Sequence, residues 1–274
     1  MLASQRHLEI LERVAQRGAA RVAELARQLD VAEETIRRDL KLLANRGALV
    51  RTHGGALPKT TQGLAVDQPA HARSFSQRSV EHAGAKQAIA ERALDWIRPG
   101  MVVALDASST AVELAKVLPD RPLTVVTNGL PACNLLGERS QIEVVCTGGV
   151  LDAAAQAFTG LPAEDAVGRF NIELCFCSCM GIDPKRGMSE VDVPQASIKL
   201  RMIESASRTV LLADDSKFGV SSHVFTASAA AVDTLITNVS DRPEVTAVIE
   251  SLSRDGLEVV EVGGATAGSA FEVG

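Results

Sequence analysis

From Met101 onward, short apolar β-prone runs alternate with amphipathic helical ones, and this alternation narrows the fold more than any other feature of the chain. The strand candidates are MVVALD (101–106), LTVVTN (123–128), IEVVCTG (142–148), IELCFCSCM (172–180), TVLLAD (209–214) and VDTLIT (232–237). Helical stretches are expected at 109–118, 130–138, 194–207 and 243–254, preceded by KQAIAERALDWI, which stops at Pro99-Gly100. Apolar strands separated by helices imply an α/β fold with a mostly parallel sheet covered on both faces. At 274 residues the chain suits a small domain joined to this larger one. A hydrophobic fraction of 46% is ample for a core and excludes a disordered chain. No apolar run reaches bilayer length, and residues 1–30 are too charged for a signal peptide, so a cytoplasmic location is expected.

In an open parallel sheet, ligands bind at the carboxyl ends of the strands, and the polar residues of this region collect there. The first strand runs into Asp106-Ala107-Ser108-Ser109-Thr110 immediately before a helix, where free backbone N–H groups favour an anion. The next ends are Thr127-Asn128-Gly129, Thr147-Gly148-Gly149, Gly181-Ile182-Asp183 and Asp214-Asp215-Ser216-Lys217. Taken singly, Gly and Ser after a strand are ordinary turn residues, and Asp106 could simply cap its helix. Five such ends, one bearing a lysine, fit an anionic small ligand.

The amino-terminal part has a different pattern. Helices are expected over Ser4–Arg17 and Ala23–Leu29. In Val31–Ala56, Ile36, Leu40 and Leu43 recur at i, i+4 and i+7, giving one buried face. Thr35, Arg37, Arg38 and Lys41 fall on the other positions. Arg46 and Gly47 make a helix stop, and Leu49–Thr52 with Gly54-Gly55 reads as a strand and turn. Three helices and a β-wing describe a winged helix-turn-helix over residues 1–58, with the motif itself at about 20–39. Alone, an arginine-bearing amphipathic helix is more often just a solvated helix. Residues 58–80 look like connecting chain by composition, with Pro58, Gly63 and Pro69, and the linker is placed at 59–84. Arg73 and Arg78 read there as solvated charges, with a contact to DNA or to the other domain as the alternative.

Charge separates along the same boundary. Residues 1–58 carry ten Lys/Arg against seven Asp/Glu (net +3), and the remainder 18 against 27 (net −9). A basic head on an acidic body suits a protein in which only the head touches nucleic acid. Cys175, Cys177 and Cys179 alternate, so in a strand they share a face. With no His nearby in sequence, they read as small buried hydrophobes and not a metal site.

TIRRDL followed by RTHGGA resembles the DeoR family of bacterial transcriptional regulators, and the resemblance extends through Val22, Leu25, Ala26 and Leu29. It then covers nearly the whole chain in the blocks LDASST, VVTNG, TGG, MGID and LLADDSKFG. The family commonly has Ser where this chain has Ala32. Losing that cap costs roughly 1 kcal/mol, offset in part by Glu33 and Glu34 at the positive helix end. The resemblance implies a sensor domain over 85–274, similar in fold to ribose-5-phosphate isomerase and glucosamine-6-phosphate deaminase. It implies DNA contacts from Arg21, Thr35, Arg37, Arg38, Lys41, Arg51 and His53. It also implies effector contacts from Asp106, Ser108, Ser109, Thr110, Thr127, Asn128, Gly148, Gly149, Gly181, Asp183, Lys199 and Lys217.

The function expected is therefore a DNA-binding regulator. It would repress a sugar or polyol catabolic operon, act as a homodimer or homotetramer, and leave operator DNA when a phosphorylated metabolite binds. No cofactor, metal or membrane partner is expected. The competing class is a sugar-phosphate isomerase or deaminase with an accessory head. Against it, many relatives are acidic four positions before Lys199 where this chain has Gln195, and an amide cannot serve as a general base. Glu190 and Glu204 are given no catalytic role.

Overall fold

The computed structural model describes residues 6, 7, 9, 10, 13, 20–29, 31–45, 49–52, 55–58 and 74–263. They fall in two compact units, Met1–Asp67 and Gln68–Gly274.

In the first unit Arg6, His7, Glu9, Ile10 and Arg13 are helical, within the helix expected over Ser4–Arg17. Helices α1 (Val22–Leu29) and α2 (Glu33–Asn45) follow. Ile10, Leu25, Ile36, Leu40 and Leu43 close into one small core, the stripe that the spacing in α2 implies. The wing consists of β2 (Leu49–Thr52) and β3 (Gly55–Pro58), paired antiparallel with Thr52 opposite Gly55. Strand β1 (Ala20–Arg21), not foreseen from the sequence, pairs with the other side of β3. Two residues are too few to show a periodicity. The helix stop at Arg46-Gly47 and the turn residue Gly54 lie outside the described residues.

The linker expected over 59–84 is corrected at its end. Residues 59–73 lie outside the described ones, but Ser74 caps α3 (Phe75–Val80) in a capping box with Gln77. Phe75 N–H donates to Ala154 O at 2.9 Å, holding α3 against the rest of the second unit. Pro58, Gly63 and Pro69 all precede the helix, and its six residues are too few to show a periodicity of their own. His82 adopts a left-handed backbone conformation (φ 51°) and starts α4 (Ala83–Ala93).

The main sheet has seven parallel strands: β4 (Val102–Leu105), β5 (Leu123–Thr127), β6 (Ile142–Cys146), β9 (Ile172–Cys177), β12 (Ala206–Leu212), β14 (Thr234–Asn238) and β15 (Glu258–Val262). Their spatial order is β15-β14-β12-β9-β4-β5-β6. The six expected strands are all present, and β15 is an addition. Both faces are covered, so strand residues alternate between two cores. Val103, Leu105, Leu174, Phe176, Val210 and Leu212 pack in one, and Ala104, Cys175, Cys177 and Leu211 in the other. Cys175, Cys177 and Cys179 are buried in this second core, and burial pushes the Cys179 thiol up. They serve as small apolar side chains.

Helices α5 (Ser109–Val117), α6 (Leu130–Leu136), α7 (Leu161–Val167), α8 (Val193–Glu204) and α9 (Pro243–Arg254) connect the strands. Pro131, Pro162, Pro194 and Pro243 each occupy a first turn, where a missing N–H costs nothing. Outside the main sheet lie a hairpin, β7 (Val150–Asp152) with β8 (Ala157–Thr159), and a three-stranded antiparallel sheet. The latter joins β10 (Gly181–Asp183), β11 (Gly187–Glu190) and β13 (Val224–Ala227).

The ring of Phe176 is fully buried near the carboxyl end of β9, with strands on both sides. Phe176→Ala is expected to destabilise the protein by about 3–5 kcal/mol, read as a lowered urea midpoint at unchanged slope.

Candidate functional site

On α2, Glu33 and Glu34 occupy the first turn and each reaches an arginine one turn on. Arg37 meets Glu33 at 2.8 Å, and Arg38 approaches Glu34 at 3.9 Å. These exposed pairs are worth only about 0.2–1 kcal/mol, so either arginine can exchange its partner for a phosphate or a base. The Arg38 side chain is 81% exposed. Lys41 is exposed, and Thr35 is half-buried. Arg21 and Arg51 are strand residues whose side chains lie outside the described ones, as does the whole of His53. Asp39 was missed in the sequence reading. It is buried on the inner face of α2, accepting from Arg6 at 2.6 Å and bonded to His7 at 2.8 Å. Burial opposes its ionisation, but the hydrogen bonds from Arg6 and His7 outweigh it and hold its pKa down. This ties α2 to the helical stretch preceding α1.

In the second unit the sheet order reverses between β4 and β9: from β4 the chain passes to β5 and β6, then returns to β9 on the other side. Such a reversal leaves a crevice beyond the strand ends. Asp106 sits there. One oxygen accepts from Ser108 N–H at 3.0 Å and the other from Ser178 N–H at 3.0 Å, so a single carboxylate clasps the chain after both strands. Lys199 on α8 donates to the same Asp106 carboxylate and lies 3.2 Å from Glu190. All three residues are buried. Burial works against the Lys199 charge, yet Asp106 and Glu190 outweigh it and raise the lysine above its ordinary pKa.

Around this cluster is a cavity of about 180 Å³. That is room for a small metabolite and not for a polymer. Asp106, Ser108, Ser109, Thr110, Asn128, Lys199 and Lys217 of the expected set line it. Ser108 caps α5, its Oγ accepting from Ala111 N–H at 3.1 Å, so the α5 amino terminus faces the cavity.

The other five expected residues do not line it. Thr127 is fully buried, with Oγ1 accepting from Gly129 N–H at 3.0 Å. Gly148 and Gly149 turn the chain after edge strand β6 at φ 65° and 107°, and a Cβ on Gly149 would lie 2.6 Å from Thr159 O. Gly181 belongs to the small sheet, where a Cβ would lie 2.2 Å from Val220 O. Asp183 closes the β10–β11 turn by accepting from Lys185 and Arg186 N–H, both at 2.9 Å. Strand ends alone did not reveal that one of these strands is an edge and another is outside the main sheet.

Sequence reasoning also missed one wall. Arg78 on α3, read from the sequence as a solvated charge, lines the cavity together with His82 and with Lys86 on α4. Lys86 is buried and donates to Arg78 O and, at 2.7 Å, to Glu81 O. Burial lowers its pKa to about 8. The signal available was Lys86 itself, a charge on the apolar face of a short helix. Glu190 and Gln195 line the cavity as well.

Among the described residues, His82, Asp214 and Asp215 place donor atoms within 4.8 Å of one another. Arg242 already holds Asp215 at 2.9 Å, and the charge of Lys86 interacts with Asp214, an arrangement that disfavours a dication. No described helix is long and apolar enough to cross a membrane.

Lys199→Ala would leave two buried carboxylates without their cation. The expected cost is about 3–5 kcal/mol, seen as a lower denaturation midpoint at neutral pH. An unchanged midpoint would remove Lys199 from this structural role.

Residues 6–62 match the DeoR-like helix-turn-helix domain, and residues 81–239 match the DeoR C terminal sensor domain. The L-fucose operon activator of Haemophilus influenzae is 40% identical over 231 residues, covering 84% of this chain and 90% of the relative. A putative aga operon transcriptional repressor of Escherichia coli O157:H7 is 32% identical over 95% of this chain and 94% of its own length. Ribose 5-phosphate isomerase A of Methanocaldococcus jannaschii shares 16% identity at a TM-score of 0.36, over 48% of this chain and 53% of that one, a likeness too partial to bear on the site. With a helix-turn-helix unit followed by a switch-point cavity, and with both segments matched to their families, the chain belongs to the DeoR family of DNA-binding transcriptional regulators.

Proposed function

We propose that this regulator represses a sugar or polyol catabolic operon and leaves its operator when a phosphorylated metabolite occupies the switch-point cavity. The observation that carries the reading is the distribution of charge around that cavity. Asp106 and Glu190 are engaged by Lys199, Asp152 and Asp192 accept from backbone N–H groups, and Arg78, Lys86 and Lys217 bring cationic side chains to walls that Glu81 also lines. An anion is the ligand that this arrangement favours. In the proposal Ser108, Ser109, Thr110 and Lys217 hold the phosphate. The same ion cluster argues against retained isomerase chemistry, because its carboxylates are bound to a lysine and not poised as bases. The relatives, an L-fucose operon activator and a putative aga operon repressor, support sugar metabolism as the regulated process.

On the DNA side, Thr35, Arg37 and Arg38 are assigned to base edges in the major groove, and Lys41 with Arg21, Arg51 and His53 to phosphates. Two heads are needed to read an operator of useful specificity, so the active species is a homodimer or homotetramer. Exposed Val150, Leu151 and Leu161, on and beside the β7–β8 hairpin, supply apolar surface for self-association.

A thermal-shift screen against phosphorylated sugars and sugar acids tests the effector assignment, since binding to the folded state raises Tm by mass action. A hit must also weaken operator binding, and operator DNA must weaken the hit's affinity by the same factor. A screen without hits, or a hit that leaves operator affinity unchanged, counts against the proposal.

Arg38→Ala is expected to cost about 1–3 kcal/mol of operator affinity and to relax specificity at one base pair. Lys41→Ala should weaken all sequences alike and flatten the salt dependence. Gel-shift titrations at several fixed salt concentrations separate the two, and equal affinity of Arg38→Ala and wild type would overturn the Arg38 assignment.

Burial lowers the Lys86 pKa to about 8, which gives effector binding a pH signature. A bound phosphate favours the charged amine and raises that pKa, while the phosphate itself, with its second pKa near 6, is already ionised. Affinity should therefore be full near pH 7 and decline as pH rises through about 8. Calorimetry across pH 7–9.5 checks this, and Lys86→Gln should abolish the slope.

A further inference from the structure

One wall of the cavity is held more lightly than the others. Ser74, Arg78, Glu81 and His82 line it, and all four belong to α3 or to the residues beside it. Helix α3 has six residues, none of them buried. A helix that short is not stable alone, so its order comes from contacts with the body of the second unit. Phe75 N–H donates to Ala154 O at 2.9 Å, and Ala154 and Ala155, in the β7–β8 turn, line the same cavity. The half-buried Phe75 ring packs against the core beneath it. Beyond the helix, Lys86 Nζ donates to Arg78 O and, at 2.7 Å, to Glu81 O, so one ammonium gathers the carbonyls at the end of α3. His82, at φ 51°, holds a backbone conformation uncommon for a side chain with a Cβ and marks the joint between α3 and α4. The Arg78 guanidinium lies 5.9 Å from the centre of the Phe75 ring, within range of a cation–π contact. The cation that reaches the cavity therefore touches the side chain that anchors the helix.

We infer that α3 is a strap closed by the effector: Arg78 takes the ligand's anionic group from the inner side, and this contact holds α3 against the β7–β8 turn. The inference rests on the proposed effector site and specifies how its occupancy is read out. Ser108, Ser109 and Lys217 belong to the body of the unit, whereas Arg78 is carried by α3, so an anion held by both groups ties one to the other. The chain enters α3 at Ser74 directly from residues 59–73, which connect it to the wing strand β3. Holding α3 in place thus fixes one end of the covalent path from the cavity to the DNA-binding unit. Ligand binding and strap closure are linked. A ligand that contacts the closed arrangement shifts the population towards it, and a change that opens the strap weakens binding by the fraction of closed molecules lost.

The test uses the full chain with inorganic phosphate, glucose 6-phosphate and fructose 6-phosphate, at concentrations up to tens of millimolar. Thermal shift finds the probes that bind, calorimetry reads their affinity, and hydrogen–deuterium exchange follows the strap. A probe that raises Tm should slow exchange of the Phe75–Glu81 amides by about tenfold or more, and Arg78→Gln should remove that slowing. Phe75→Ala loosens the anchor without altering a cavity-lining residue. It should speed exchange over the same amides, weaken the probe by about tenfold, and reduce the probe's effect on binding to a duplex that the wild type selects from a random library. The Tm of each variant without ligand reports folding, and a merely structural role for Phe75 would lower that Tm and leave probe affinity unchanged. If a probe raises the wild-type Tm without slowing exchange over Phe75–Glu81, or binds Phe75→Ala as tightly as wild type, the strap is overturned and the effector site stands. If none of the three probes shifts the wild-type Tm, the effector site itself is overturned and the strap with it.

Discussion

Asp106 is the point on which the second unit depends. A parallel sheet that runs outward in both directions from β4 and β9 must splay beyond those two strands, because the chain leaves them toward opposite ends of the sheet. The Asp106 carboxylate spans the gap by accepting from Ser108 and Ser178 N–H, and Lys199 then ties α8 to it. An ion pair this deeply buried adds little stability compared with a well-packed apolar replacement. Its effect is geometrical, since it holds two loops and a helix in one arrangement around a polar crevice. Glu190 brings the small antiparallel sheet into the same cluster.

That construction separates the charges of the cavity by task. The carboxylates hold the scaffold in place, and the cations of Arg78, Lys86 and Lys217 are distributed over other parts of the wall. Lys86 carries the largest penalty for this. Its amine is buried against carbonyl oxygens, which solvate a cation less well than water, and its lowered pKa follows. The α3–α4 segment that places it is pinned to the β7–β8 hairpin through Phe75 N–H. One side of the cavity is therefore made by chain that precedes the sheet in sequence.

The small first unit is built from the opposite ingredients. Its core is one compact apolar cluster, and its buried ionic contact, Asp39 with Arg6 and His7, fixes the α2 helix from the inside. The arginines on the outer face pair only weakly with glutamates of their own helix. Ala32 supplies only its carbonyl, accepting from Thr35 N–H at 2.9 Å, so Glu33 and Glu34 both stabilise the helix start and screen the arginines until a competing anion arrives.

What the sequence determined by itself was whatever depends on local periodicity. The spacing of Ile36, Leu40 and Leu43 established which face of α2 is buried. The alternation of apolar runs established six parallel strands, and the two-residue spacing of Cys175, Cys177 and Cys179 placed them together in one core. Ser108, Asn128 and Lys217 were legible as cavity residues because polar groups directly after strands have few other places to go, whereas Lys199 came only with the family resemblance. Tertiary structure alone decided strand order, and with it which strand ends meet. Gly149 and Asp183 look as suitable as Asp106 until β6 proves to be an edge and β10 to lie outside the main sheet, and Thr127 until its hydroxyl proves to be buried against Gly129 N–H. Arg78, Lys86, Glu190 and Gln195 reach the cavity from segments whose local patterns name helices and strands but not neighbours. A contact between residues far apart in the chain is set by how whole layers pack, and no local pattern encodes it.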